Sequence, residues 1–239
     1  MPIRINKYLA ECGVASRRAI DRLIAEKRIA INGVVLQKPG VLVKEGDSVT
    51  VDGKRIEERS KNAITILLNK PTGCITTSSD PQKRKTVLDY VQCGTRVFPI
   101  GRLDKDTTGV LLLTNDGELA NKLMHPRYSA EKVYRAHLDK PFTETHKKRF
   151  ESGVVLDDKK TTPCHTRFVG SNKRDVIVTL HEGRNRQIHR MFKALGYAVE
   201  KLERTSYASL TTHGLKQGEW RQLTNKDINR LRNSIYEGN

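Results

Sequence analysis

The sequence predicts an α+β protein in two parts. A small N-terminal module of helices and short strands precedes a larger domain with a mixed, largely antiparallel sheet and flanking helices. Three observations lead there. Residues 1–57 form a self-contained pattern of two short helices and alternating strands. Lys54 to Asn62 is charged and polar with no apolar period, so it reads as a linker, and 58–62 separates the parts. From residue 63 to 239, strand and helix periods alternate irregularly, without the regular strand–helix–strand repeat of a parallel sheet.

In the first part, Ile5, Tyr8 and Leu9 fall at helical spacing, and Gly13 stops that helix. Ser16 stands as the N-cap of a second helix carrying Ala19, Ile20, Leu23 and Ile24. Arg17, Arg18 and Arg22 lie between those apolar positions, and Lys27 and Arg28 follow, so this helix has a basic face. Ile29 to Val35 reads as a hairpin around Asn32-Gly33, and Gly46 to Gly53 as a strand ending in a turn.

In the second part, Ile64, Ile66 and Leu68 alternate and run into a turn at Lys70-Pro71-Thr72-Gly73. An apolar run ending at Ile100 enters a polar loop, and a second run leaves it from Val110. Gly101 and Gly109 bracket this loop, which carries Arg102, Asp104 and Asp106. Glycines there allow a turn or a close backbone approach. Asn115-Asp116-Gly117 opens a helix through Leu119 and Leu123, and Lys132 to Leu138 is a strand. Thr143 to Phe150 is helical, Val176 to Leu180 a strand, and Arg186 to Leu195 a helix stopped by Gly196. Thr224 caps a last helix through Ile228, Leu231 and Ile235.

Charge narrows the partners. The chain carries +17, of which +4 lies in residues 1–60 and +13 in the rest. A polyanion is the natural partner of such a surface. No apolar run is long enough for a membrane span, and the N-terminus lacks a signal-peptide core. Cys12, Cys74, Cys93 and Cys164 are far apart, which argues against a zinc ribbon or a disulfide framework and for a reduced, cytoplasmic location. The histidines are equally scattered and show no metal-ligand spacing.

Taken alone, the Gly101–Gly109 loop has several readings. It is a hairpin-like turn whose Asp and Thr side chains cap backbone groups, or a catalytic loop on a rigid scaffold. Asp104 with Asp106 also permits a paired-carboxylate hydrolase or a cation site, but no further ligand cluster accompanies them. Asp106 is read as a loop-capping residue.

Several segments in order resemble one family. Residues 2–57, with Ser16-Arg17-Arg18 opening the second helix, resemble the S4 RNA-binding domain. Gly101-Arg102-Leu103-Asp104, Glu131-Lys132-Val133-Tyr134 and the run Glu182 to Met191 resemble RNA pseudouridine synthases of the RsuA/RluB type. Lys70-Pro71-x-Gly73 and Gly218-Glu219-Trp220-Arg221 agree as well. The resemblance implies an S4 domain that grips folded RNA through Lys7, Arg17, Arg18, Arg22 and Arg28, by counterion release at phosphates. It implies a catalytic domain that isomerises uridine to pseudouridine in ribosomal RNA, with the large subunit favoured, acting as a monomer.

The same resemblance makes Asp104 the nucleophile and lays Tyr134 against the target base. It makes Arg102 the residue that fills the space of a flipped base, and Arg186, Gln187, His189 and Arg190 substrate-binding. The isomerisation needs no redox change or energy input, so no cofactor or metal is implied. Whether Asp104 attacks C1′ or C6, or removes a 2′ proton, stays open. A buried aspartate also needs a cation to stay charged. In the family an arginine supplies it where this chain has His189. Either His189 pairs with Asp104, or Arg186, Arg190 or Arg204 does, and the favoured arrangement has an arginine carrying the charge with His189 nearby. The competing reading is a non-catalytic S4-type RNA-binding or ribosome-assembly protein, which needs neither Asp104 nor Tyr134. A fragment of an aminoacyl-tRNA synthetase is disfavoured, because no ATP-binding signature is present.

Overall fold

The computed structural model describes residues 2–57, 63–157 and 159–236. They fall into two compact units, Met1–Ala63 and Ile64–Asn239.

In the first unit, β1 (Ile3–Arg4) leads into α1 (Ile5–Glu11) and then α2 (Arg17–Ala25). The Ser16 Oγ accepts from the Ala19 N–H at 3.2 Å and so starts α2. β2 (Ile29–Ile31) and β3 (Val34–Val35) form the hairpin. Its turn residues Asn32 and Gly33 take φ of 51° and 81°, as a two-residue turn between twisted strands requires. β4 (Leu42–Val43) pairs with β1, and β5 (Val49–Val51) with β2. Ile5, Leu9, Ile20, Ile24, Ile29 and Val49 make the core, which leaves Arg17, Arg18 and Arg22 exposed.

The stretch read as a linker begins as structure. β6 (Lys54–Arg55) pairs with β5 after a second tight turn at Asp52-Gly53. Both of its side chains are exposed, so no apolar alternation marks it in the sequence. Residues 58–62 lie outside the described residues.

The second unit is built on one large sheet. Its strands are β7 (Thr65–Lys70), β8 (Phe98–Ile100), β9 (Thr108–Thr114), β10 (Lys132–Leu138), β13 (His165–Val169), β14 (Asp175–Leu180), β15 (Val199–Tyr207), β16 (Leu210–Thr211) and β17 (Trp220–Gln222). β11 (Val155–Leu156) and β12 (Lys159–Lys160) form a separate small ladder. The spatial order is β13-β14-β10-β15-β9-β7-β17, with β8 on β9 and β16 on β15. All pairings are antiparallel except β15 with β9, which runs parallel at Glu203–Thr108 and Arg204–Gly109.

The helices are α3 (Gly117–Met124), α4 (Glu144–Glu151), α5 (Gln187–Ala194) and α6 (Asn225–Tyr236). Asp116 caps α3 and Thr143 caps α4 through side-chain oxygens. At α6, Thr224 and Asp227 cap each other's backbone N–H groups, a reciprocal capping box. No described helix is long and apolar enough to cross a membrane.

The sheet is buried on both faces at its centre. Ile66, Leu68, Leu111 and Leu113 pack on one side with Val87 and Val97. Leu67, Val110 and Leu112 pack on the other with Leu119, Leu123 and Leu231. The alternation at Ile64, Ile66 and Leu68 thus describes one face of a strand whose other face is equally apolar. The parallel contact between β9 and β15 then sets the end of β9, where the polar loop arrives, against the middle of the longest strand.

Candidate active site

The loop from Gly101 to Thr107 is pinned from the end of β7 and the segment that follows it. The Lys70 ammonium is wholly buried and donates to the carbonyls of Pro71 (3.0 Å), Lys105 (3.1 Å) and Thr107 (2.9 Å). Burial pushes its pKa down. The Thr76 Oγ1 donates to the Leu103 carbonyl at 2.8 Å and accepts from the Leu103 N–H at 3.2 Å. Within the loop, the Thr107 N–H donates to the Asp104 carbonyl at 3.2 Å. Asp104 therefore projects from a backbone held on both sides.

Gly109 closes the loop for a steric reason. Its φ is +100°, and a Cβ there would sit 2.2 Å from the Arg204 carbonyl oxygen. Only glycine admits this approach of β9 to β15.

The basic segment before α5 is just as constrained. Gln187 is buried; its Nε2 donates to Glu182 Oε1 at 2.7 Å, and its Oε1 accepts from the Arg184 N–H at 2.9 Å. Arg184 in turn donates to the carbonyls of Lys159 and Lys160 on β12. The following residue but one, Arg186, takes a left-handed conformation, φ 45° and ψ 37°, directly ahead of α5. For a non-glycine residue this costs on the order of 1 kcal/mol, and such strain clusters at functional sites. It brings Arg186 Nη1 to 3.6 Å from Asp104 Oδ2, with the two side chains about half and one third exposed.

Among the four candidates for the Asp104 partner, Arg186 is the one in ion-pair contact. His189 lines the same cleft, but burial and then the Arg186 charge lower its pKa, against the opposing pull of Asp104 and Asp106. That shift favours the neutral imidazole, and its Nδ1 finds no hydrogen-bond partner among the described residues. Arg204 is engaged elsewhere, donating from Nε to the Val110 carbonyl at 2.7 Å. Arg190 turns away to pair with Asp157 and does not line the cleft.

The cleft itself has a volume of about 700 Å³. Arg102, Asp104, Tyr134, Arg186, Gln187 and His189 all line it, so the structure gathers six of the seven residues expected there, Arg190 being the exception. Gln187 lines it but spends its amide on Glu182 and Arg184, so its part is to shape the segment that carries Arg186. Arg102 is exposed at the rim, and Tyr134 is half-buried on β10.

Asp106 faces a different cavity, of about 570 Å³, beside Arg135 and Glu203. Its carboxylate accepts no hydrogen bond among the described residues, which corrects its reading as a loop cap. Two carboxylates opening on separate cavities also fail the geometry of a paired-carboxylate hydrolase.

Lys132 and Tyr207 line the cleft without having been singled out in the sequence. Lys132 stands two residues before Tyr134, so strand period was the available signal. Burial, reinforced by Arg204, brings its pKa down to about 8. Burial pushes the Tyr207 phenol up to about 12, and it donates to the Leu123 carbonyl at 2.8 Å.

In the N-terminal unit, Arg18 and Arg22 are exposed on α2. Arg17 donates to Asn6 at 3.3 Å, and Lys7 pairs with Glu11 at 3.8 Å. Arg28 is committed: it grips both Asp52 oxygens at 2.7 Å and Glu26 at 3.1 Å. Such a bidentate clamp leaves little of its charge for a phosphate.

Comparison with known proteins places this geometry. The family model for RNA pseudouridylate synthase matches residues 64–194, and that for the S4 domain matches residues 3–49. Ribosomal large subunit pseudouridine synthase B of Bacillus subtilis (strain 168) is 42% identical, over 96% of this chain and 95% of that protein. The chain belongs to the RNA pseudouridine synthase family. Dual-specificity RNA pseudouridine synthase RluF of Escherichia coli (strain K12) is 40% identical over 95% of this chain and 77% of its own length. A crystal structure of a pseudouridylate synthase superposes with a TM-score of 0.70 at 28% identity, covering 96% of this chain and 99% of that one. As a synthase of this family, the protein carries its carboxylate, arginine and tyrosine in one cleft of the second unit.

Proposed function

We propose that this synthase isomerises uridine in ribosomal RNA, with large-subunit RNA the favoured substrate and Asp104 as the nucleophile. The observation that carries the reading is Asp104 on a pinned loop, 3.6 Å from Arg186, at the edge of a cleft that also holds Tyr134. A carboxylate assists the reaction by covalent attack or by taking a proton, and either role requires it ionised. Arg186 sets a positive charge beside that carboxylate, and His189 lines the cleft next to the pair. Tyr134 offers a flat face to the uracil during its rotation. Arg102 at the rim is placed to enter the stack that the flipped base leaves. The +17 charge and the exposed arginines of α2 supply the phosphate contacts. The name of one relative, a ribosomal large subunit pseudouridine synthase, supports the large subunit, and the other is named for dual specificity.

The test is tritium release from transcripts of large- and small-subunit rRNA labelled at uridine C5. Wild type is expected to release tritium from the large-subunit transcript, and Asp104→Asn, folded as wild type, to release none. Full activity in that variant removes Asp104 from the role. Binding without release by the wild type points to the competing RNA-binding protein.

A further inference from the structure

Two cations in the cleft take no part in holding Asp104. Lys132 and Tyr134 leave the same face of β10, two residues apart, and both line the cleft. Across the sheet Tyr134 pairs with Arg204, and an extra residue on β15, Thr205, shifts the register between Val133 and Tyr134. Bulges of this kind re-aim side chains beside active sites.

Arg204 is only 2% exposed. Its guanidinium lies 4.8 Å from the Tyr207 ring centroid, and its Nη2 is buried without a hydrogen-bond partner among the described residues. The Lys132 ammonium makes one hydrogen bond among the described residues, from Nζ to the Ala130 carbonyl at 2.7 Å, and sits 5.6 Å from the same ring. Its ammonium has two further protons to give. Buried donors without acceptors are costly and rare, and cations lining a cleft are placed for an acceptor that arrives there.

We propose that Lys132 and Arg204 form a pocket for the carbonyl oxygens of the target uracil and stabilise the negative charge the base acquires during the reaction. The inference rests on the proposed substrate reading and holds for each possible role of Asp104. Attack at C1′, or removal of the 2′ proton, breaks the N1–C1′ bond and leaves its electron pair on the uracil, spread over O2 and O4. Attack at C6 moves the C5–C6 π pair toward O4 as an enolate. In every case a carbonyl oxygen gains charge. Lys132 donates a hydrogen bond to it and keeps its proton throughout. Such preorganised donors are usually the largest single contribution to catalysis.

The charged and titratable groups facing Lys132 are Arg204, Tyr207 and Glu182. Burial and Arg204 lower its pKa to about 8, Glu182 opposing, so it is mostly charged at neutral pH and loses charge above that. The experiment is single-turnover tritium release by the full-length enzyme from the large-subunit transcript, across pH, with RNA affinity measured by filter retention. Lys132→Met is expected to slow release about 100-fold with RNA affinity near the wild-type value. The wild-type rate is expected to fall above about pH 8, and Lys132→Arg to move that fall to higher pH. A wild-type rate in Lys132→Met, or a loss confined to RNA affinity, overturns the proposal. Should Lys132→Met not fold, Lys132→Arg decides, and an unmoved alkaline fall overturns it. No release by wild type overturns the substrate reading and this inference with it, whereas failure in the variants alone overturns only this one.

Discussion

The arginines of α2 and the arginine that precedes α5 carry the same charge and are supported in opposite ways. Arg18 and Arg22 stand exposed on a helix whose other face is the core of the small unit. No side-chain hydrogen bond or ion pair among the described residues fixes them, and none is needed, because a phosphate backbone is neutralised without register. Arg186 sits on a strained left-handed residue, behind a segment tied by Gln187, Glu182 and Arg184, and meets one carboxylate. Lys132 is partly buried and Arg204 fully buried. Cations that grip are cheap to place, whereas cations that act on one atom require the surrounding fold to hold them.

The largest expected effect is at Gly109. Gly109→Ala sets a Cβ against the Arg204 carbonyl and should cost about 4 kcal/mol or prevent folding of the second unit. Urea denaturation checks this; wild-type stability would mean that the strand approach does not depend on glycine. Next is Arg186→Gln, expected to lower kcat about 100-fold while RNA affinity hardly changes. Equal losses in kcat and affinity would place Arg186 with the gripping cations instead.

Lys132 gives an intermediate effect with a defined pH dependence. Its pKa is about 8 when folded, against an ordinary value of 10.5. Below pH 8 the lysine is charged in both folded and unfolded chains, and the full burial cost is present. Between 8 and 10.5 the unfolded chain binds more protons, so stability rises with pH and the cost fades. Lys132→Met should therefore be more stable than wild type by about 1–2 kcal/mol at pH 7, after allowance for its partial exposure. That advantage should shrink toward pH 10 in denaturation series at each pH. The smallest effect belongs to α2: Arg18→Ala with Arg22→Ala should weaken RNA binding about tenfold at low salt and flatten the salt dependence by roughly 1.5 in slope. The kcat at saturating RNA should stay that of the wild type.

Much of this was legible in the sequence where one local signal sufficed. Ser16 and Thr224 are caps in the structure as expected, Asp116 and Thr143 cap the helices expected to start there, and Asn32-Gly33 makes the expected hairpin turn. β15 escaped notice because Val199 to Tyr207 alternates charges with apolar residues in no clean period, although it is central to the sheet. Its parallel pairing with β9 is a long-range fact that local pattern does not carry. In the site, motif order brought Asp104, Tyr134 and Arg186 forward together. Pattern favoured an arginine over His189 as the partner of Asp104 but did not choose among Arg186, Arg190 and Arg204, because that choice turns on the backbone conformation of Arg186 and on the Asp157 contact of Arg190. Lys70 looked like part of a turn, since two of its three carbonyl contacts depend on a loop 35 or more residues away.

The loop between Gly101 and Gly109 offers the most direct test, because its two aspartates share a backbone and face different cavities. Single-turnover tritium release should be compared for Asp104→Asn and Asp106→Asn on the same rRNA transcript. The account predicts no release from Asp104→Asn and a rate near wild type from Asp106→Asn. Release by Asp104→Asn, with loss in Asp106→Asn, would contradict it.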